Sequence, residues 1–262
     1  MLLSLAAGTV LDATHEETID AAAEAGFAAV GLRFTEPPGE RRLAALTGRV
    51  AASGLRVLDV EVARLGPRPA SDFGWLVDAA GALAARFLLT ISEHDDPSWT
   101  REQVTALCER AAPLGVAVAV EHMLFTAVRR LPDAHALVEG TGCPNATVLV
   151  DLLHLARAGD DVELLSGEAG RRVGYVQVCD APAAGPASDE GLQEEARHHR
   201  LMPGEGELPV RSFLDAADGL PVSVEVQSDD LAAGCSAAER ARLAMRATRA
   251  VLDDVRSNGL EA

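Results

Sequence analysis

The chain has 262 residues, enough for one large α/β barrel or two small domains, and a hydrophobic content of 48% supports a substantial core. Its net charge of −17 repels nucleic acid and anionic membranes, so the expected partner is a small molecule. All 23 basic residues are arginine, which excludes Schiff-base catalysis and pyridoxal phosphate attachment through a lysine amine.

In chain order, a short apolar run at 2–6 predicts a first strand, and Thr14-His-Glu-Glu17 has capping-box spacing for a helix that Gly26 stops. A second strand is expected over 28–34, then a helix from the Pro37-Pro38-Gly39 turn to about Ser53, closed by Gly54. Strand three covers 55–62, with a helix near 72–84. Strand four covers 86–92, and a helix over 99–114 ends at Gly115. The second half repeats the pattern. Val116-Ala-Val-Ala-Val-Glu121 is strand five, a helix starts near Pro132, and Thr147-Val-Leu-Val-Asp151 is strand six. Helix six is expected to continue towards Gly170 before strand seven, 173–180. A long segment from Ala181 to Pro209 follows, with a short acidic helix at 189–196. A helix over 210–218, strand eight over 221–225 and a last helix over about 237–256 complete the chain. Eight strand–helix units at this length predict a single-domain (β/α)₈ TIM barrel across 1–262. No Gly-x-Gly-x-x-Gly follows strand one, which argues against a dinucleotide-binding sheet.

Cys108, Cys143, Cys179 and Cys235 lie far apart without a Cys-x-x-Cys pair, so neither structural zinc nor a disulfide framework is expected. The start of the chain lacks the basic region of a signal peptide and no apolar run could span a bilayer, so a cytoplasmic location is expected.

The chemistry is expected where the strands end. In a barrel of this kind the C-terminal strand ends form the active face. Glu121, Asp151, Gln177 and Glu225 close strands five to eight, while Arg33, Glu61 and Glu93 stand at or just beyond strands two to four. A carboxylate or carboxamide at the end of a buried strand is costly unless something pairs with it. Each could cap the following helix. Four in succession suggest instead a hard-cation site for Mn²⁺, Mg²⁺ or Co²⁺.

Glu121-His122, Asp151-Leu-Leu-His154, Gln177-Val-Cys-Asp180, Arg200-Leu-Met-Pro203-Gly-Glu-Gly206 and Val224-Glu225 resemble the xylose-isomerase-like barrel superfamily. That superfamily includes sugar epimerases, inosose isomerases and dehydratases, 3-dehydroshikimate dehydratases and endonuclease IV. The resemblance implies one divalent metal held by Glu121, Asp151, Gln177 and Glu225. It implies an isomerase or epimerase of a small polyhydroxylated carbonyl compound, a sugar or cyclitol, in which Glu121 and Glu225 exchange a proton next to a metal-bound carbonyl through an enediolate. His154 would act on a substrate oxygen, Arg200 and Arg33 would bind substrate, and Glu61 would be either a pocket acid or a structural cap. Homodimers are common among such families. Gln177 departs from the histidine of most sugar epimerases and pulls towards a dehydratase of the 3-dehydroshikimate or inosose type, since a carboxamide cannot shuttle protons. A non-catalytic sugar-binding barrel is a further alternative. An endonuclease-like reading fits neither the acidic charge nor the seven histidines. Of His198 and His199 at most one is expected to face the pocket, the Pro-Gly-Glu-Gly turn is expected to set Arg200, and the 181–203 segment is a candidate lid. Phe34, Trp75, Trp99 and Phe125 are the rings that could sort substrates.

Overall fold

A computed structural model of the chain describes residues 1–258. Eight parallel strands close on themselves in sequence order: β1 (Leu3–Leu5), β2 (Ala29–Arg33), β3 (Arg56–Leu65), β4 (Phe87–Ser92), β5 (Ala117–Glu121), β6 (Ala146–Asp151), β7 (Val173–Val178) and β8 (Val222–Val224). β8 pairs with β1 through Leu3–Val222 and Leu5–Val224, which completes the barrel. Helices α1 (His15–Ala25), α2 (Glu40–Ser53), α3 (Gly74–Ala82), α4 (Pro97–Ala111) and α5 (Leu131–Thr141) link the first six strands. α6 (Leu152–Ala158) and the short α7 (Gly167–Gly170) lead into β7. α8 (Asp189–His198) and α9 (Val210–Ala216) precede β8, and α10 (Asp229–Gly234) and α11 (Ala237–Asn258) follow it.

Local chemistry explains the helix ends. Thr14 accepts from the Glu17 amide while Glu17 accepts from the Thr14 amide, which satisfies two amides that the first turn of α1 would leave free. Gly26 then adopts φ 81°, a left-handed conformation that ends the helix.

Two apolar layers follow from the alternation of strand side chains. Outward residues such as Leu5, Val30, Val60, Leu88, Val118, Val148, Val176 and Val224 pack under the helices. Inward residues Ala29, Leu58, Phe87, Leu89, Ala119, Leu149 and Tyr175 fill the barrel, with Phe87 and Tyr175 stacked 4.7 Å apart. Each fully buried large apolar side chain contributes about 1.5–3 kcal/mol relative to exposure.

Helix six does not continue to Gly170. Gly159 turns left-handed at φ 69° and its amide closes on Leu155 and Ala156, after which a 3₁₀ turn at Val162–Leu165, capped by Asp161, and α7 carry the chain onward. β7 ends at Val178 rather than Asp180, which instead bridges antiparallel to Leu201. β3 runs on to Leu65, and α10 has no counterpart among the expected elements.

Candidate functional site

The carboxyl ends of the strands carry a ring of polar side chains set by the ladder register. Arg33 lies opposite Glu61, Asp151 opposite Gln177, and Gln177 opposite Ser223, two positions before Glu225. Asp151 both ends β6 and caps α6. Its Oδ1 accepts from the amides of Leu153 (2.7 Å) and His154 (3.3 Å), which turns the His154 ring inward over one helical turn. The His154 Nε2 then stands 3.8 Å from Glu121 Oε1. Ligand atoms of Glu121, Asp151 and His154 all lie within 4.8 Å of one another, and all three side chains are buried.

Arg200 reaches this group from the segment after α8. Its Nε donates to the Ala196 carbonyl, and its Nη1 donates to Asp151 Oδ2 at 2.7 Å and lies 3.4 Å from Glu225 Oε2. The Pro203–Gly206 turn is fastened by Asp180, whose carboxylate accepts from the amides of Gly204, Leu208 and Ala181 at 2.8–2.9 Å. Asp180 and Leu201 also exchange both backbone hydrogen bonds, so the strand end and the chain just past Arg200 are held together.

Arg33 donates to Glu61 Oε2 through Nε (2.9 Å) and Nη2 (2.5 Å), and lies 3.9 Å from Glu225 Oε1. A cavity of about 250 Å³ opens above the ring, bordered by Arg33, Glu121, Phe125, His154, Arg200 and Glu225. Asp151, Gln177 and Glu61 are fully buried beside that wall. Glu61 meets Arg33 rather than the cavity, and Glu93 at the end of β4 pairs with Arg64. Of the four rings considered, only Phe125 borders the cavity, edge-on to His154 with centroids 5.6 Å apart. Phe34 stacks on His15, Trp99 on His94, and Trp75 packs against the core. His198 borders the cavity, while His199 turns to Glu194 at 3.6 Å.

Burial dominates the electrostatics. It pushes the Glu121 carboxyl well up, with Glu225 and Asp151 adding to the effect. Glu225 is pushed up to about 7 by burial, partly offset by Arg200. For Asp151 burial also acts upward, but Arg200, helped by the hydrogen bond from the His154 amide, outweighs it and the carboxyl is lowered. His154 is driven down to about 3 by burial and is neutral. Three buried carboxylates, Glu121, Asp151 and Glu225, therefore face one arginine of their own, Arg200, because Arg33 is already committed to Glu61. Both polar atoms of Gln177 are buried without a hydrogen-bond partner. An excess of buried negative charge beside an unpartnered carboxamide suits a divalent cation with oxygen donors. Gly8 permits the arrangement: a Cβ there would lie 2.3 Å from Glu225 Oε1.

The sequence reading passed over Asp59, although Asp59 and Glu61 share one strand face by their spacing of two. Asp59 is fully buried inside the barrel with both oxygens unpartnered, and burial pushes its carboxyl up to about 8. Arg64 and Arg197, which also border the cavity, carried no sequence signal beyond composition.

The sequence profile of xylose isomerase-like TIM barrels matches residues 19–251. A putative hydroxypyruvate isomerase of Streptomyces coelicolor is 33% identical over 88 residues; that match spans 32% of this chain and only 26% of the relative's length. Among solved structures, a xylose isomerase-like TIM barrel/4-hydroxyphenylpyruvate dioxygenase fusion protein superposes with a TM-score of 0.81 at 22% identity, over 98% of this chain and 44% of the fusion. The IOLI protein, crystallised with a zinc atom, gives 0.80 at 18% identity over 98% and 99% of the two chains. A D-psicose 3-epimerase crystallised in the presence of D-fructose gives 0.72 at 14% identity over 95% and 97%.

Proposed function

Because the chain belongs to the xylose isomerase-like TIM barrel family, we propose that it is a divalent-metal-dependent isomerase or epimerase of a small polyhydroxylated carbonyl compound. The observation that carries this reading is the meeting of Glu121, Asp151 and His154 within 4.8 Å at the floor of a cavity that Glu225 also borders. Glu121, Asp151, Gln177 and Glu225 would hold one Mn²⁺, Mg²⁺ or Co²⁺ ion. Such an ion, when bound, supplies polarisation of a carbonyl and so acidifies the adjacent C–H bond.

The chain's own residues then divide the work. Glu121 and Glu225 stand on β5 and just past β8, three strands apart around the mouth, so they address a substrate from different sides. One removes the proton and the other returns it. His154, neutral and beside Glu121, offers a ring nitrogen to a substrate hydroxyl. Arg200 fixes Asp151, and Arg33 is held by Glu61 with its cation towards Glu225, where negative charge develops on the substrate. Phe125 and the last turn of α8 border this space.

The test pairs metal content by mass spectrometry with solvent deuterium exchange into candidate ketoses, for wild type and Glu225→Gln. One divalent ion per chain in wild type, with exchange reduced about 10²–10⁴-fold in the variant, is expected. A wild type that neither holds nor responds to a divalent ion sinks the reading.

Gln177 favours a second reading, a hydro-lyase. Its carboxamide cannot carry a proton, so the steps after proton removal rest on the glutamates alone, and loss of a β-hydroxyl competes with reprotonation. Appearance of protocatechuate absorbance from 3-dehydroshikimate would replace the isomerase reading with this one.

A further inference from the structure

The cavity carries a set of arginines that proton transfer does not use in full. Arg33, Arg64, Arg197 and Arg200 all border it. Three of them have carboxylate partners: Glu61 for Arg33, Glu93 for Arg64 and Asp151 for Arg200. Arg197, on the last turn of α8, has no hydrogen bond or ion pair among the described residues. Acids are not scarce, with 40 in the chain against 23 arginines, and two of them, Glu194 and Glu195, lie within three residues of Arg197. Both are turned elsewhere. Glu194 faces His199 at 3.6 Å and Glu195 holds Arg157 at 2.7 Å. Burial and the like charges of Arg64 and Arg33 lower the Arg197 guanidinium, and only Glu93, already bound to Arg64, pulls the other way. Like charges crowded at a cavity edge are unfavourable unless an anion joins them.

The cavity is therefore polarised along its depth. Glu121 and Glu225 lie in its floor at 9% and 5% side-chain exposure, whereas Arg64 is 37% exposed and Arg197 lies on the surface. With a divalent ion and Arg200 offsetting the three floor carboxylates, the positive charge left without a partner among the described residues is Arg197 at the rim, so an anionic group is drawn there and the carbonyl end of the same molecule faces the floor. A guanidinium fork suits either carboxylate or phosphate.

We propose that Arg197, with Arg64 and Arg33 beside it, forms an anion subsite, and that the substrate is a small polyhydroxy carbonyl compound bearing a carboxylate or a phosphate at the end remote from the reacting carbonyl. The inference rests on the carbon-acid reading of the floor, and it names the class of molecule that reading left open.

The test is calorimetric binding to the Mn²⁺-loaded protein, wild type and Arg197→Gln, of three ligands on one ketohexose skeleton: D-fructose, D-fructuronate and D-fructose 6-phosphate. Malonate and inorganic phosphate serve as bare anion probes. Arg197 is exposed and has no partner among the described residues, so the variant is expected to fold with an unchanged melting temperature. Wild type is expected to bind at least one anionic ketose about tenfold more tightly than fructose. Arg197→Gln is expected to remove that preference without changing fructose affinity. The stronger of the two arms tells carboxylate from phosphate. If no anion, the bare probes included, binds wild type more tightly than the variant, the subsite is overturned. Deuterium exchange is read separately: an anion preference without exchange would uphold the subsite and overturn the proton-transfer reading.

Discussion

Asp59 is a buried carboxyl that lies outside the cavity's lining. It projects into the barrel against Gly31, where a Cβ would lie 2.3 Å from its Oδ1, and neither oxygen has a hydrogen-bond partner. Burial first, then Glu61, pushes its carboxyl up to about 8. An unfolded aspartate titrates near 3.9. A raised folded value means that the stability available with the neutral carboxyl is fully present below about pH 4 and is lost as pH rises through 8. Asp59→Asn, which is neutral throughout, should therefore gain on wild type between pH 5 and pH 9, by on the order of 2–4 kcal/mol in metal-free protein. Urea unfolding at the two pH values measures this. Parallel profiles for the two proteins would mean that Asp59 is ionised in the native barrel.

Among the elements, the β7–β8 connection shows how a segment without strong periodicity is made rigid. α8 is tied at both ends, Asp189 to Arg129 at 3.2 Å and His198 to Asp229 at 3.1 Å. At its middle, Glu195 is clamped by Arg157, which also donates to the Pro182 and Ala183 carbonyls. Asp180 then gathers three backbone amides from Ala181, the 203–206 turn and Leu208. Gly206 allows this close approach, since a Cβ would lie 2.5 Å from the Ala181 carbonyl and from Asp180 Oδ1. Hydrogen bonds to a charged acceptor contribute about 1.5–3 kcal/mol each. Asp180→Ala is therefore expected to lose about 3 kcal/mol or more in urea unfolding, and to weaken substrate binding because the turn beyond Arg200 loses its fastening. A loss below about 1 kcal/mol would show that the turn holds itself.

At the scale of the whole molecule, charge is sorted by depth. The surface is acidic enough to give −17 overall, the cavity rim is basic, and the floor is acidic again. Among the described residues, no helix is long and apolar enough to cross a membrane. If a divalent ion completes the floor, it binds the folded chain and not the unfolded one, because the strands that bring its ligands together do not exist in the latter. At a hundredfold excess over Kd this linkage contributes about 2.7 kcal/mol. The melting temperature should then rise by about 5–10 °C on adding Mn²⁺ and fall again with a chelator. Arg200 and Glu225 already interact without the ion, so the metal-free barrel is expected to remain folded.

The barrel was legible in the sequence because short hydrophobic runs, glycine stops and the Thr14 capping box act over a few residues. The polar group closing each of strands five to eight was legible for the same reason: it follows directly from where a hydrophobic run stops. Helix six is shorter than its sequence suggests because Leu152–Ala158 and the 162–170 segment read alike locally, while the left-handed Gly159 and the Asp161 cap separate them. What lay beyond the sequence was anything set by contacts between distant residues. That Glu61 holds Arg33 depends on the β2–β3 register, and that Asp180 fastens the turn beyond Arg200 depends on a chain returning after some twenty residues. That Arg197 has no partner among the described residues follows from where Glu194 and Glu195 turn once α8 is docked. Helix stops such as Gly26 and Gly54 are decided by local propensity and are written in the chain. Pairing, burial and the sign of the charge at a given depth are decided by closure of the barrel, which brings together groups that no spacing relates.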